Sequence, residues 1–317
     1  MILDYNSTQA ASLREQIGKT LIELGQKNTD VVVLDAEVGN STFTLDFQKV
    51  FPDRFFEMYI SEQTMLSAAL GLSLRGKKPF VATFGAFLSR AFDQIRMSSY
   101  SAPKTNLKII GTHSGVSIGE DGPSQMALED IAIFRTLLDS VILYPSDAIS
   151  THNCLNLMLD FHGISYLRVT RESLPQLYPT DEQFKIGGSK TLLESDNDQI
   201  TLISAGITLH ECLKAAMKLQ KQGINSRVID LYSIKPIDVE TLNEAASKTK
   251  SLIVVEDHYQ AGGIFEAICS NIKTATPIHS LCVRKTPRSG TKDELLAFEA
   301  IDSKAIIDKA QECLNRY

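Results

Sequence analysis

The chain has 317 residues, room for two ordinary domains or one large one, and its 43% hydrophobic and 22% charged residues are the balance of a globular enzyme rather than of a long disordered segment. Lys and Arg number 32 against 38 Asp and Glu, a net charge of −6, which speaks against general nucleic-acid binding. No apolar run approaches the roughly 18 residues of a membrane helix, and the opening MILDYNSTQAASLREQ lacks a basic segment followed by an apolar one, so neither a membrane span nor a secretion signal is expected.

In chain order, Leu13, Ile17, Leu21 and Leu24 recur at helical spacing, and VVVL (31–34) is the β-branched run of a buried strand. Helix and strand then alternate. TMLSAALGLSL (64–74) reads as helix, KPFVATF (78–84) as strand, FLSRAFDQIRMSS (87–99) as helix and LKIIGTH (107–113) as strand. MALEDIAIFRTL (126–137) and ISTHNCLNLMLDF (149–161) read as helices, SVILYPS (140–146) and SYLRVT (165–170) as strands. PQLYPTDEQFKIGGSK (175–190), rich in Pro, Gly and charge, breaks the pattern as a linker. Alternation resumes with ITLISAG (200–206), LHECLKAAMKLQKQG (209–223), SRVIDL (226–231), KSLIVVED (250–257), IFEAICSNI (264–272) and SKAIIDKAQECL (303–314). The expected fold class is α/β, with two domains at 1–177 and 191–317, a linker at 178–190, and in each domain a mostly parallel sheet flanked by helices. The five cysteines (Cys154, Cys212, Cys269, Cys282, Cys313) are odd in number with no CxxC pair, which reads as buried or inert thiols in a reducing cytoplasm.

The segment richest in chemistry is GTHSGVSIGEDGPSQMALED (111–130), at the carboxyl end of an expected strand, where open α/β sheets place ligands. It carries His113, Glu120, Asp121 and four glycines before a Gly-Pro turn; a solvated surface loop is the plainer alternative. Glu62 opens an apolar helix after Ser61. Locally it is a first-turn carboxylate favoured by the helix dipole with Ser61 as N-cap, or else a carboxylate held in an apolar site for its chemistry. Phe84, Phe87 and Phe92 are core residues or an aromatic platform for a flat heterocycle. Arg14, Arg168 and Arg171 stand near element ends and, one by one, read as solvated charges. The sequence has no Walker loop, HExxH, GxGxxG or metal-ligand spacing.

Taken together, DAEVGNST (35–42), FPDRFFEMYISEQ (51–63), TFGAFLSRAFDQIRMS (83–98), THSGVSIGEDGPSQMALED (112–130), YPSD (144–147), RVTRESLPQL (168–177) and VVEDHYQAGGIFEAI (254–268) resemble the carboxyl-terminal half of the transketolase family. The resemblance implies a pyrimidine-binding domain followed by a C-terminal domain, with thiamine diphosphate and Mg²⁺ as cofactors. No GDG…N signature for the metal and diphosphate occurs, so their ligands are expected on a separate amino-terminal subunit, with no metal site here. A start at Met1 just before the first helix points to a split enzyme: a homodimer of this chain joined to two copies of that subunit as a heterotetramer. The implied reaction is transfer of a two-carbon ketol unit between a ketose phosphate and an aldose.

Residue by residue, the resemblance implies Glu62 on the aminopyrimidine, Phe84 and Phe87 packing it, and Glu37 near the thiazolium. It implies Asp121 on a substrate hydroxyl, and Arg14, Ser41, His113 and Arg171 around the sugar phosphate. Arginine suits that place because its planar fork meets phosphate oxygens with two parallel bonds. Glu62, Asp121 and His113 are the implied catalytic set. The chain departs from many members at Glu37 (an aspartate there), Gln63 (a histidine), Arg90 (an aromatic) and Gln125 (a histidine), which leaves the sugar open. The rivals are a deoxyxylulose-phosphate synthase-like subunit, a 2-oxoacid dehydrogenase beta subunit, and a catalytically silent regulatory partner.

Overall fold

Alternate side chains along the strands send the first sheet's apolar residues to opposite faces. The computed structural model describes residues 9–102 and 105–315; the expected domain ends at 1–8 and 316–317, Met1 among them, lie outside the described residues. Val31 and Val33 pack with Leu13, Ile17, Leu21 and Leu24 of the helix Leu13–Lys27, while Val32 and Leu34 pack with Met65, Leu66 and Ala69 of the helix Glu62–Leu74. Ser12 caps the first of these helices, its side-chain oxygen accepting from the Glu15 N–H.

The first sheet has seven strands, in the order Ser233–Lys235, Val141–Leu143, Ile164–Arg168, Leu107–Thr112, Lys78–Phe84, Val31–Asp35, Phe55–Glu57. Every pairing is parallel except that of Ser233–Lys235 with Val141–Leu143. The second sheet has five strands, in the order Ile278–Val283, Ser251–Tyr259, Ile200–Ser204, Ser226–Asp230, Lys190–Leu193, with only the last pairing antiparallel. The expected α/β class with two mostly parallel sheets is what the chain adopts.

Two helices differ from expectation. Residues 126–129 are not helical, and the helix runs Asp130–Arg135. Ala127 has φ 48°, in the left-handed region, so no right-handed helix passes through it. The segment after Phe84 opens as 3₁₀ turns over Gly85–Ala91, and the α-helix proper is Phe92–Ser101. Strands at Phe55–Glu57, Lys190–Leu193 and Ile278–Val283 and helices at Val239–Lys248 and Lys292–Phe298 add to the sequence-level pattern.

The domains share material. Ser233–Lys235, beyond the linker, adds an edge strand to the first sheet, and one apolar cluster runs from Val32 and Tyr166 through Tyr144 to Ile229, Leu231 and Ile264. Ser146 and Asp147 of the YPSD motif pin the boundary. The Ser146 hydroxyl donates to Asp230 (3.0 Å), Gly206 N–H donates to Ser146 Oγ (2.8 Å), and Asp147 accepts from the N–H groups of Ser150, Leu177 and Tyr178. The linker is ordered as well: Tyr178 donates to Asp230 (2.6 Å), and Phe184 sits edge-on between Tyr178 and Tyr232.

Candidate active site

In the first sheet the chain passes from Val31–Asp35 out to Phe55–Glu57 and returns to Lys78–Phe84 on the other side, so the strand order reverses beside Val31–Asp35. Ligands of open α/β sheets bind outside the carboxyl ends of strands at such a reversal. Asp35, Glu57, Phe84, Thr112 and Arg168 all end strands on that rim.

Four of the expected residues meet there. Arg14 Nη1 donates to the Ser41 carbonyl (2.9 Å) and approaches His113 Nε2 (3.3 Å), while its Nε donates to the Arg171 carbonyl (3.2 Å). Arginine can only donate, so His113 Nε2 accepts and the ring proton sits on Nδ1, which donates to Thr112 Oγ1 (2.8 Å). Burial, then the charges of Arg14 and Arg171, push the imidazole down to about 3, so His113 is neutral. It therefore orients Arg14 in this arrangement rather than adding a third cation. Burial and the neighbouring Arg171 also lower the pKa of Arg14. Arg171 donates to the Ile118 carbonyl (2.8 Å) and has Asp121 at 3.7 Å, both side chains 38% exposed. Ser41 contributes its carbonyl, and its hydroxyl donates to Asn40 (3.3 Å).

The second group lies on the other side of His113. Phe84 and Phe87 stack at 5.3 Å and 10°, and Phe84 stacks on the His113 ring at 3.8 Å. The 3₁₀ turns explain the first stack, because three residues per turn bring i and i+3 side chains into line. The helix opened by Glu62 packs on this strand and these turns. Glu62 is 5% exposed, and its carboxylate has no hydrogen-bond or ion-pair partner among the described residues. Ser61 does not cap the helix: its hydroxyl donates to Thr64 (3.3 Å). The Glu62 carboxyl group is thus open to a ligand.

Glu37 is exposed at the rim with φ 64°, and His113 has φ 60°. Each such conformation costs on the order of 1–3 kcal/mol, a strain that gathers at functional sites. Two residues that sequence reasoning missed hold this geometry. Glu57 accepts from the N–H groups of Glu37 and Tyr59, both at 3.0 Å. Buried Asp35 accepts from Thr42 (2.7 Å), Thr44 (2.8 Å) and Val38 N–H (2.8 Å), clamping the turn that presents Ser41. Burial raises the Asp35 carboxyl to about 6 against those three donors. Their signal was a carboxylate ending each of two parallel strands. Gln63 and Arg90 are exposed and Gln125 is half-buried.

The reading of Arg168 as a solvated charge is corrected. Arg168 is 0% exposed; it donates to Asp130 (2.9 and 3.0 Å) and to Asp257 of the second domain (2.8 Å). Burial alone would lower its pKa, but the two carboxylates outweigh it and hold the guanidinium well above its ordinary value. Tyr166 also donates to Asp130 and Tyr144 to Asp257. The segment 111–130 is likewise no solvated loop: residues 111–119 are buried, and a Cβ on Gly115 would stand 1.7 Å from Asp257 Oδ2. Of the cysteines, four are buried and Cys269 is exposed, and none is in a disulfide among the described residues.

Among the described residues, no group of three His, Cys, Asp or Glu could hold a metal ion, and no helix is long and apolar enough to cross a membrane. Comparison with known proteins matches residues 9–176 to the family model "Transketolase, pyrimidine binding domain" and residues 189–306 to "Transketolase, C-terminal domain". The chain is 47% identical to mouse transketolase-like protein 2 over 307 residues, covering 96% of this chain and 49% of that protein. It is 44% identical to human transketolase over 306 residues, covering 95% and 49%. The chain thus spans about half the length of the curated relatives it matches. Among solved structures, a split gene transketolase, an inactive beta4 tetramer, superposes with a TM-score of 0.87 at 35% identity, covering 97% of this chain and 99% of that one.

Proposed function

The chain belongs to the transketolase family, and on that premise we propose that it is the carboxyl-terminal subunit of a split transketolase, moving a two-carbon ketol unit from a ketose phosphate to an aldose. The observation that carries the substrate class is the convergence of Arg14, Ser41, His113 and Arg171 on one rim, two cations of which Arg171 has Asp121 at 3.7 Å. That set suits a sugar phosphate and speaks against a 2-oxoacid dehydrogenase subunit. The near full-length match to a split gene transketolase, in both directions, supports the split arrangement.

Thiamine diphosphate, when bound, supplies the electron sink for the carbanion released as the C2–C3 bond of the ketose breaks. The residues present fit its pyrimidine end. Phe84 and Phe87 offer a parallel aromatic stack, and Glu62 a buried carboxylate whose missing partner a ring nitrogen would provide. Glu62 would hold the pyrimidine end by a hydrogen bond to a ring nitrogen, sharing its proton there. Glu37, exposed at the same rim, would help hold the cofactor. Asp121 accepts from a substrate hydroxyl. His113 steers Arg14, and Arg14 and Arg171 hold the phosphate with charge-assisted bonds.

The diphosphate and Mg²⁺ fall to a separate amino-terminal subunit, two copies of which join a dimer of this chain in the cytoplasm. That the split gene relative is inactive as a beta4 tetramer supports a chain silent by itself. We place the domain boundaries at 1–177, 178–190 and 191–317.

The deciding experiment measures turnover and hydrogen–deuterium exchange at the cofactor C2 in the assembled enzyme carrying Glu62→Gln or Glu62→Ala. Both should be nearly dead in both assays; exchange at the wild-type rate in either variant would overturn the role of Glu62. Calorimetric titration of the chain with cofactor and Mg²⁺, with and without the amino-terminal subunit, tests the split. Turnover by this chain alone would refute it.

A further inference from the structure

The cleft in front of Arg14 and Arg171 encloses about 530 Å³, and its far wall is built by residues 290–293 of the second domain. That wall is held in place. The helix Lys292–Phe298 packs on the turns Val116–Asp121, and Thr291 and Glu294 close a capping box that fixes the start of the helix. The glycines opposite leave no slack: a Cβ on Gly119 would lie 3.0 Å from the Gly290 carbonyl, and one on Gly122 would lie 2.9 Å from Ser289 Oγ. Lys292 is thereby set on the same cleft as the two arginines. Its side chain is 33% exposed, and its counter-ion is the neighbouring Asp293 at 3.4 Å, itself 81% exposed. A pair that open binds its members weakly.

Charge matching gives Lys292 a task. A phosphate monoester carries about −1.5 to −2 at neutral pH. Against it stand Arg14 and Arg171, the second partly offset by Asp121, with His113 neutral. Lys292 is the further cation lining the cleft. Glu120, Glu172 and Asp293 also line it, and carboxylates among cations suit a polyol phosphate: the carboxylates accept from hydroxyls while the cations meet phosphate oxygens.

We propose that Lys292 is a specificity-determining residue that brings the second domain into recognition of the phosphate end of a phosphorylated sugar. This rests on the sugar-phosphate reading of the Arg14–Arg171 cluster, so the test separates the two. The full chain is titrated with ribose 5-phosphate and with ribose as probes, at two salt concentrations, in wild type, Lys292→Ala, Lys292→Arg and Arg14→Ala, with the melting temperature of each recorded. Lys292→Ala should weaken ribose 5-phosphate roughly three- to tenfold, flatten its salt dependence and leave ribose unchanged. Lys292→Arg should restore binding, and Arg14→Ala should cost more than about tenfold. If Arg14→Ala weakens binding and Lys292→Ala does not, the inference about Lys292 falls and the arginine cluster stands. Equal losses of both probes in Lys292→Ala would make the lysine structural and also overturn it. No preference for ribose 5-phosphate over ribose in the wild type would remove both.

Discussion

Arg168 and Arg171 stand three residues apart where one strand runs out, and they live in opposite electrostatic worlds. Arg168 is fully buried between Asp130 and Asp257, one guanidinium against two carboxylates, with Asp257 Oδ2 left without a hydrogen-bond partner among the described residues. Arg171 is 38% exposed, 3.7 Å from Asp121, and shares its corner with another cation, Arg14. Like charges drawn together at an open rim make a poor structural device and a good anion site. A buried arginine with two carboxylates is the reverse: every guanidinium nitrogen donates within the protein, with no room for a ligand. The two regions touch through Gly115, whose bare Cα lets the phosphate-side loop lie against Asp257. The second domain therefore anchors the loop from behind while residues 290–293 wall the cleft in front.

Breaking the buried side should have the larger effect. Arg168→Met strands two buried carboxylates and should cost about 3–5 kcal/mol of stability, read as a lower denaturant midpoint; a midpoint close to wild type would show that the cluster is not neutralised as described. Gly115→Ala attacks the seam. At φ 89°, with Asp257 Oδ2 at 1.7 Å from the new Cβ, it should destabilise the chain and weaken sugar-phosphate binding together. If only one of the two changes, the seam does not couple the regions.

On the open side the expected effects are in binding. Arg14→Ala and Arg171→Ala should each lose about 1.5–3 kcal/mol of phosphorylated-sugar affinity, roughly tenfold to over a hundredfold, with little change in melting temperature. Equal losses on unphosphorylated sugars would make these arginines structural.

The smallest effect sharpens the contrast through pH. His113, held neutral with its pKa down at about 3, should show no ring titration by NMR between pH 8 and about 4. Its depressed folded pKa means that the unfolded chain takes up the proton first. The stability it contributes is whole above about pH 6.5 and is lost as pH falls towards 3. Titration of His113 near 6.5 would show that it, and not the arginines alone, supplies charge to the site.

Much of this was legible in one dimension. The helix of Leu13, Ile17, Leu21 and Leu24 and the strand KPFVATF follow from local periodicity, because covalent geometry fixes which side chains share a face. The roles of Glu62, Phe84, Phe87, His113 and Arg171 came from the family resemblance, since local spacing left each of them with a plainer reading. Two elements escaped because local spacing misled. Residues 126–129 have helical spacing, yet Ala127 is held at a positive φ. The run after Phe84 reads as α-helix, yet it opens as 3₁₀ turns, and that opening is what stacks Phe87 on Phe84.

Local order along the chain carried the α/β alternation and the family. Only the tertiary structure decided what each charge is for. Arg168 is answered by Asp130, 38 positions back, and by Asp257, 89 positions on, while Arg171 finds near it another arginine from the first helix. Periodicity is a property of neighbours in the chain. Burial and charge compensation are properties of neighbours in space, and nothing in the order of residues says which carboxylate a folded chain will bring within 3 Å of which arginine.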